Sequence, residues 1–282
     1  MLNGDGSGNR CEATTRPEPW HLAVVLPAFN EEGLPGFLVE LEAHLRPVVS
    51  RLSFVVVDDV STTPVAEVLR SPVPAMRSRV TVIRNEENLG HGPSALRAYH
   101  GGLATSADLV LHVDGDGQFL GEDVARLVGE LGDADGVVGV RRSRTDPWYR
   151  TILTRCARLL VTIASSGVGD ANTPLRLYRR EALVTLLSRV ESSASVPHLQ
   201  FSMIEGRTGL AVREVPVTHR LRRGTSTVGT MWRQGRVRLP LPSRRLIGFS
   251  ARAALEVVAC MRRLDDGSDV IHPAPVGREA AA

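Results

Sequence analysis

The sequence of 282 residues contains no lysine, so all 34 of the residues counted as lysine or arginine are arginine. This absence excludes a Schiff-base lysine, the lysine of a P-loop and the ATP-binding lysine of a protein kinase. Any phosphate that the protein binds must therefore be held by arginine, by backbone amides or by a metal ion.

Cysteines and long apolar runs are also scarce. The three cysteines lie far apart, which favours neither a disulfide framework nor a clustered zinc site and is typical of a reducing cytoplasm. The best apolar candidate, residues 246–261, contains Arg252 and Glu256, so the sequence predicts no membrane-spanning helix. The first twenty residues lack the apolar core of a secretory signal. We therefore expect a cytoplasmic protein.

Positive charge is concentrated toward the C-terminus, although the formal net charge is only +3. Thirteen arginines lie between Arg207 and Arg263, against two acidic residues, Glu214 and Glu256. Such an excess indicates an anionic partner, which is a phosphate, a lipid headgroup or a nucleic acid. Only 4% of the residues are aromatic, and no known recognition module accompanies the arginines, which argues against nucleic acid.

Short runs of apolar and β-branched residues alternate with helical patterns from residue 21 onward. This alternation predicts an α/β fold with a mostly parallel sheet and helices on both faces. Pro27 is expected to end the first strand, because proline has no N–H for the sheet ladder. The predicted strands are 21–26, 54–57, 80–83, 109–113 and 136–140, with further short strands near 175–178 and 209–217.

The remainder of the chain is expected to flank one domain over residues 21–240. A disordered leader is predicted over 1–20, a basic amphipathic helix over 241–264 and a disordered tail over 265–282. The helix fits three roles: packing on the domain core, contact between two copies, or peripheral contact with an anionic membrane surface.

Carboxylates follow three of the predicted strands at the point where each strand ends. Glu31 follows the first strand, Asp58 and Asp59 end the second, and Asp114 follows the fourth. Because ligands of open parallel sheets bind at the carboxyl ends of the strands, these groups predict a shared site. Their mutual repulsion is relieved most simply by a cation or by hydrogen-bond donors.

The segment Asp114-Gly-Asp-Gly-Gln118 is the strongest metal candidate. Its alternation allows the side chains of Asp114, Asp116 and Gln118 to point the same way, while the glycines allow a diphosphate to approach the backbone. Oxygen ligands of this kind suit Mg²⁺ or Mn²⁺ bound partly through substrate phosphates. The alternative for an isolated Asp-Gly pair is a simple turn.

Residues 90–95 (GHGPSA) satisfy the glycine pattern of a dinucleotide-binding loop and open a predicted helix. However, residues 85–88 separate this pattern from the preceding strand, and it belongs to the third strand unit instead of the first. We therefore interpret it as a tight turn or as a glycine-rich loop against a nucleotide, and not as an NAD site.

An ordered set of segments between residues 22 and 230 resembles the inverting glycosyltransferases of family 2, which have the Rossmann-like GT-A fold. The resemblance is greatest to the branch of dolichyl-phosphate mannose synthase, and the ordered set is far more specific than any one segment. The segments are 24–31 (VVLPAFNE), 56–61 (VVDDVS), 88–92 (NLGHG), 113–118 (VDGDGQ), 139–141 (GVR), 170–177 (DANTPLRL), 214–217 (EVPV) and 220–226 (RLRRGTS).

The resemblance implies the class of donor and a set of site residues. Asp114, Asp116 and Gln118 would hold the metal on the diphosphate, and Arg141 and Arg176 would face an acceptor phosphate. Leu221 stands where an arginine closing over the diphosphate is expected, so Arg220, Arg222 or Arg223 must substitute. The implied nucleotide-sugar contacts are Pro27, Phe29, Glu31, Asp58, Asp59, Gly90, Asp114, Arg222 and Arg223.

The class of acceptor can be inferred from whether the sequence offers a general base. An attacking hydroxyl requires a general base, and residues 192–204 offer only His198, with Glu205 just beyond. The alternative for His198 is a packing residue at a helix start. A phosphate is already ionised at pH 7, so the shortage of bases favours polyprenyl phosphate. Asp116, Arg176 and His198 are the predicted catalytic residues.

Two other functions stay open at this point. One is a transferase of the same fold that glycosylates a hydroxyl or amine of a soluble small molecule, with His198 or Glu205 as base. The other is a catalytically silent module that binds a sugar nucleotide, against which the intact Asp114–Gln118 motif argues.

Overall fold

A computed structural model describes residues 18–70, 80–141, 171–220 and 244–267. The arginines Arg222 and Arg223 and most of the expected leader and tail lie outside these ranges.

Seven strands and seven helices form within the described residues. The strands are β1 (Glu18–Ala28), β2 (Val49–Asp58), β3 (Val80–Arg84), β4 (Leu109–His112), β5 (Gly136–Arg141), β6 (Arg176–Arg179) and β7 (Val212–Val217). The helices are α1 (Leu34–Leu45), α2 (Val65–Val68), α3 (His91–Ala104), α4 (Gly121–Gly129), α5 (Arg180–Leu187), α6 (Pro197–Thr208) and α7 (Arg244–Asp266).

The strands form one mixed sheet in the order β3-β2-β1-β4-β6-β5-β7. Strands β1 to β4 are parallel to one another, and β5 is parallel to β7, whereas β6 runs antiparallel to both β4 and β5. The predicted α/β architecture with a mostly parallel sheet is confirmed. The parallel half places the carboxyl ends of β1, β2 and β4 at one edge.

Pro27 does not end the first strand, contrary to our expectation. It lies within β1 opposite Val57, one residue before the strand ends at Ala28. In a strand, the N–H and C=O of one residue face the same neighbour, and the carbonyl of Pro27 accepts a hydrogen bond from Gly115 N at 3.3 Å. This edge of Pro27 lies beyond the end of β4 at His112, and β1 keeps its pairing with β2 through Ala28.

The core lies in two layers, one on each face of the sheet. One layer is covered by α1 and α4 and contains alternate residues of β1, such as Val24 and Leu26. The other is covered by α3, α5, α6 and α7 and contains Val25 and Tyr99. Helix α1 forms because five large apolar residues recur at helical spacing on one face, and these five are buried: Leu34, Phe37, Leu38, Leu41 and Leu45.

Helix α7 packs against α6 with one face. Val257 and Cys260 are buried in that contact. The carboxylate of Glu256 accepts hydrogen bonds from the backbone N and the Oγ of Ser195, at 2.8 and 2.7 Å. The basic amphipathic helix is therefore docked on the domain. No helix in the described ranges combines the length and apolar character needed to cross a membrane.

Candidate active site

The loops after β1, β2 and β4 are joined to one another at the carboxyl edge of the sheet. Asp59 N donates to Ala28 O at 2.9 Å, and Gly115 N donates to Pro27 O at 3.3 Å. Asn30 N donates to Ser61 Oγ at 3.0 Å, which adds a second bond between the first two loops. The residues that follow these three strands therefore lie side by side, as the parallel pattern predicts.

Asp58 is held entirely by contacts within the protein. Its carboxylate accepts hydrogen bonds from Ser61 N at 2.8 Å and Val65 N at 3.1 Å, and it forms an ion pair with Arg84. Only 1% of the residue is exposed, so Asp58 fixes the turn into α2. Its predicted contact with a base or ribose stays a prediction.

Asp59 and Gly90 act together in shaping the loop before α3. The two carboxylate oxygens of Asp59 accept from Leu89 N at 2.8 Å and from Gly90 N at 2.9 Å, and Asn85 Nδ2 donates at 2.7 Å. Gly90 has φ of 85°, a left-handed value that glycine adopts without strain. These bonds place the first residue of α3, His91, at the rim of the site.

The segment Asp114–Gln118, the candidate metal motif, follows β4 and carries one carboxylate oxygen that accepts no hydrogen bond from the described residues. Asp114 Oδ1 is buried without a hydrogen bond in the described structure, and it lies 3.6 Å from His91 Nε2. Asp116 Oδ1 accepts from Gln118 N at 3.0 Å, which closes the turn of the motif. The side chain of Gln118 donates to Arg220 O at 3.3 Å.

The donor chemistry of this motif fits a hard divalent cation. Within the described ranges, no three His, Cys, Asp or Glu side chains stand together as a ready-made metal site. Mg²⁺ is commonly bound by one or two carboxylates, with substrate phosphates and water completing its coordination. The unsatisfied oxygen of Asp114 and the adjacent Asp116 match that type of site.

His198 lies beneath this rim in a cluster of aromatic rings. Its Nε2 is 3.2 Å from Tyr99 OH, and its ring centroid is 4.6 Å from that of His112. Burial lowers the pKa of His198 well below its usual value, and the neighbouring positive groups lower it further. Only 3% of the residue is exposed. This geometry is that of a packing residue at a helix start, and it gives no support to a role of His198 as a base.

The prediction that Arg176 faces an acceptor phosphate is corrected by its position in the interior. The residue is fully buried in β6, and all five N–H donors of its guanidinium are engaged within the protein. No donor is left for a ligand. The acceptors are Thr173 O, Tyr178 OH, Glu205 Oε1, Ala171 O and Ser202 Oγ, at distances between 2.8 and 3.0 Å.

Glu205 is likewise unavailable as a base for a soluble acceptor. It is 3% exposed, forms an ion pair with Arg176 at 3.0 Å and accepts a hydrogen bond from Tyr178 OH. A base in this position would have to break a buried charge pair before it could reach an acceptor, which is strongly unfavourable.

The other predicted contacts lie at or near the edge. Phe29 and Glu31 follow β1 and are half-buried, and Arg141 ends β5 and is also half-buried. Arg141 is near enough to His198 to contribute to the lowering of that residue's pKa. Arg220 is bound to the metal motif and to Glu40. The closing role over a diphosphate is therefore left to Arg222 or Arg223.

Two residues of the site were missed in the sequence. The glycine pattern of residues 90–95 places His91 only in a turn, although a histidine at a helix start, combined with a carboxylate at a strand end, is a usable signal. Glu40 carries no such signal, because its partner Arg220 is 180 positions away.

Comparisons with known proteins agree with this architecture. The chain is 29% identical over 194 residues to an undecaprenyl-phosphate 4-deoxy-4-formamido-L-arabinose transferase of Serratia proteamaculans, covering 68% of this chain and 59% of that protein. The protein of the same description from Klebsiella pneumoniae is 29% identical over 208 residues, covering 73% and 61%. The chain thus spans about three fifths of these relatives.

A solved structure supports the same fold. The glucosyl-3-phosphoglycerate synthase of Mycobacterium tuberculosis, in complex with Mn²⁺, UDP-glucose and glycerol 3-phosphate, superposes with a TM-score of 0.56 at 20% identity, covering 86% of this chain and 80% of that one. The model of the family described as "Glycosyl transferase family 2" matches residues 23–187, which is more than half of the chain. The chain therefore belongs to glycosyl transferase family 2.

Proposed function

We propose that this protein transfers a sugar from a nucleoside-diphosphate sugar to a polyprenyl phosphate, with inversion at the anomeric carbon and with Mn²⁺ or Mg²⁺ as cofactor. The observation that carries the proposal is the state of the two candidate bases. His198 and Glu205 are both buried, and both are bound to other side chains. A phosphate acceptor is already ionised, so it can attack the anomeric carbon without a base, whereas a hydroxyl cannot.

The remaining residues would divide the binding of donor and acceptor. Asp114 and Asp116 would hold the cation at the donor diphosphate, and Arg222 or Arg223 would close over that diphosphate. Arg141, at the end of β5, is then the candidate for the acceptor phosphate, because a guanidinium forms paired hydrogen bonds with phosphate oxygens. A bound divalent cation supplies charge stabilisation at the departing diphosphate.

The comparisons support this choice of substrates. The relatives from Serratia and Klebsiella are described as transferring a sugar to undecaprenyl phosphate. The solved structure of the same fold was obtained with a UDP-sugar and Mn²⁺. We therefore favour a UDP-linked donor as the first to test and a long-chain polyprenyl phosphate as the acceptor.

The experiment is a transfer assay with a matched pair of acceptors. Purified protein is incubated with Mn²⁺, a panel of UDP- and GDP-sugars, and either undecaprenyl phosphate or undecaprenol, which differ only in the phosphate. We expect product with the phosphate alone, and we expect Arg141→Ala to raise the acceptor KM. Product with undecaprenol, or with a soluble alcohol while polyprenyl phosphate stays unmodified, would refute the proposal.

We also propose that the outer face of α7 contacts the cytoplasmic surface of an anionic membrane, where such an acceptor resides. Leu255 is 70% exposed and Val258 39% exposed, and Arg252 and Arg262 lie exposed on the same side of the helix. An apolar strip flanked by arginine complements a negatively charged lipid surface.

Vesicle sedimentation tests this contact. The protein should bind phosphatidylcholine vesicles that contain phosphatidylglycerol and should not bind pure phosphatidylcholine. Each of Arg252→Gln and Arg262→Gln should weaken binding about fivefold, while Leu255→Glu should weaken it without lowering the melting temperature. Equal binding to both kinds of vesicle would exclude an electrostatic contact.

A further inference from the structure

Arg220 and Glu40 form a clasp between α1 and the residues after β7. The guanidinium of Arg220 donates to both carboxylate oxygens of Glu40, at 3.1 and 2.9 Å. The two side chains are 22% and 17% exposed, so the pair is partly shielded from water. Both bonds come from one nitrogen, Nη2, and they are strengthened by the opposite charges of the two groups.

The same arginine is bound to the backbone of the metal motif. Arg220 Nε donates to Gly117 O at 2.6 Å, and Arg220 N donates to Gln118 O at 2.9 Å. Gln118 Nε2 returns a bond to Arg220 O at 3.3 Å. An isolated antiparallel bridge between Phe119 and His219 continues this pairing. Residues 117–119 are thus joined to residues 219–220 like two short strands.

Glu40 connects this pairing to the next helix. Its Oε1 also accepts a hydrogen bond from Gly121 N at 2.8 Å, at the start of α4. The contact is tight, because a Cβ at Gly121 would lie 2.9 Å from Glu40 Cγ. The carboxylate of Glu40 therefore bonds directly to the start of α4 and, through Arg220, to the backbone of the metal motif.

We propose that Glu40 and Arg220 are positioning residues that set the geometry of the metal motif. The path runs from Glu40 through Arg220 to the backbone of Gly117 and Gln118, and the N–H of Gln118 in turn holds Asp116 Oδ1. Neither residue needs to touch the cation or the sugar nucleotide. The inference rests on the proposed function, because it concerns the use of Asp116 as a metal ligand.

The contacts at position 220 require an arginine. Arginine supplies one N–H to Gly117 and others to Glu40 at the same time, from a rigid planar group. Lysine keeps the charge but has a single nitrogen on a flexible stem, so it cannot make both contacts in this arrangement. Arg220→Lys should therefore behave like a loss of the clasp, although the charge is conserved.

Three variants test the proposal: Glu40→Gln, Arg220→Lys and the control Asp265→Asn. The control breaks an exposed ion pair between Asp265 of α7 and Arg207 of α6, two helices that contribute no residue to the metal motif or to the clasp. Two readouts are made without turnover. Mn²⁺ binding in the presence of UDP is followed by electron paramagnetic resonance, and exchange of the backbone amides of residues 114–120 is followed by hydrogen–deuterium mass spectrometry.

We expect Glu40→Gln and Arg220→Lys to weaken Mn²⁺ binding by about 10- to 100-fold, which is the usual effect of removing a group that orients a metal ligand. Amide exchange in residues 114–120 should accelerate in both variants and stay unchanged in Asp265→Asn. The melting temperatures of all three variants should stay close together.

Wild-type Mn²⁺ affinity in either variant would overturn the proposal, and so would unchanged amide exchange. Failure of the proposed function gives a different pattern. In that case the wild-type protein transfers no sugar to undecaprenyl phosphate, while the exchange measurement still decides whether the clasp orders the motif.

Discussion

The buried ion pair between Arg176 and Glu205 permits a quantitative prediction for Glu205→Gln. Glutamine has nearly the same shape and can still accept from Arg176 and Tyr178, so the substitution removes the charge and little else. Burial alone would lower the pKa of Arg176, but Tyr178 and Glu205 raise it above its usual value, so the guanidinium stays protonated. The variant then leaves a fully buried cation without its counter-charge.

The expected cost follows from that burial. Removing one partner of a buried ion pair typically destabilises a protein by about 3–5 kcal/mol. For a domain of this size, 1 kcal/mol corresponds to a shift of roughly 2–4 °C in the melting temperature, so the shift should be on the order of 10 °C. Breaking the exposed pair of Arg207 and Asp265 should cost less than about 1 kcal/mol, since both side chains are near half exposure.

Urea unfolding at pH 7, followed by tryptophan fluorescence and by circular dichroism, measures both variants on the same scale. Glu205→Gln should lose several times more stability than Asp265→Asn. If the two variants lost equal amounts, within about 0.5 kcal/mol, Arg176 and Glu205 would not form the closed pair described above. A base role for Glu205 would instead appear as lost turnover with unchanged stability.

Three further predictions concern the site and its supporting turns. Asp116→Asn should reduce transfer by at least about a hundredfold without unfolding the protein, as should excess chelator; full activity in chelator would contradict a metal site. Burial lowers the pKa of His112 from 6.5 to about 4. The unfolded state therefore binds a proton more readily than the folded state, and the free energy of unfolding falls as the pH drops from 6.5 toward 4. Urea unfolding should show a loss of about 2 kcal/mol between pH 6.5 and 5 from this residue, and His112→Gln should reduce that slope. Val60 has φ of 63°, which is strained for a β-branched residue, so Val60→Gly should raise the melting temperature slightly; a lower melting temperature would argue against this strain.

The sequence predicted the elements whose signals are local. Each buried strand of the parallel half is a short apolar run, because both of its faces are covered by helices. The apolar spacing of α1 reports one buried face in the same way. Strand ends bearing Asp58 and Asp114 could be assigned to one edge, since parallel strands end on the same side. The family resemblance added the donor class, which local patterns do not contain.

The tertiary structure decided what depends on pairing between distant residues. From the sequence alone, an arginine in a short strand is as consistent with a phosphate ligand as with a buried ion. Only the packing of α6 over β6 places Glu205 against Arg176. His198 could be a base or a packing residue until the rings of Tyr99 and His112 surrounded it.

Contacts between distant parts of the chain also determine the structure at the carboxyl edge of the sheet, where the metal motif lies. Pro27 stays within β1 because that strand keeps its pairing with β2 through Ala28, which β1 alone cannot reveal. Glu40 and Arg220 are separated by most of the domain, so no periodicity connects them. Local sequence fixes which side chains a strand or helix presents on each face, whereas the partner of a charged side chain is chosen by the packing of elements far apart in the chain.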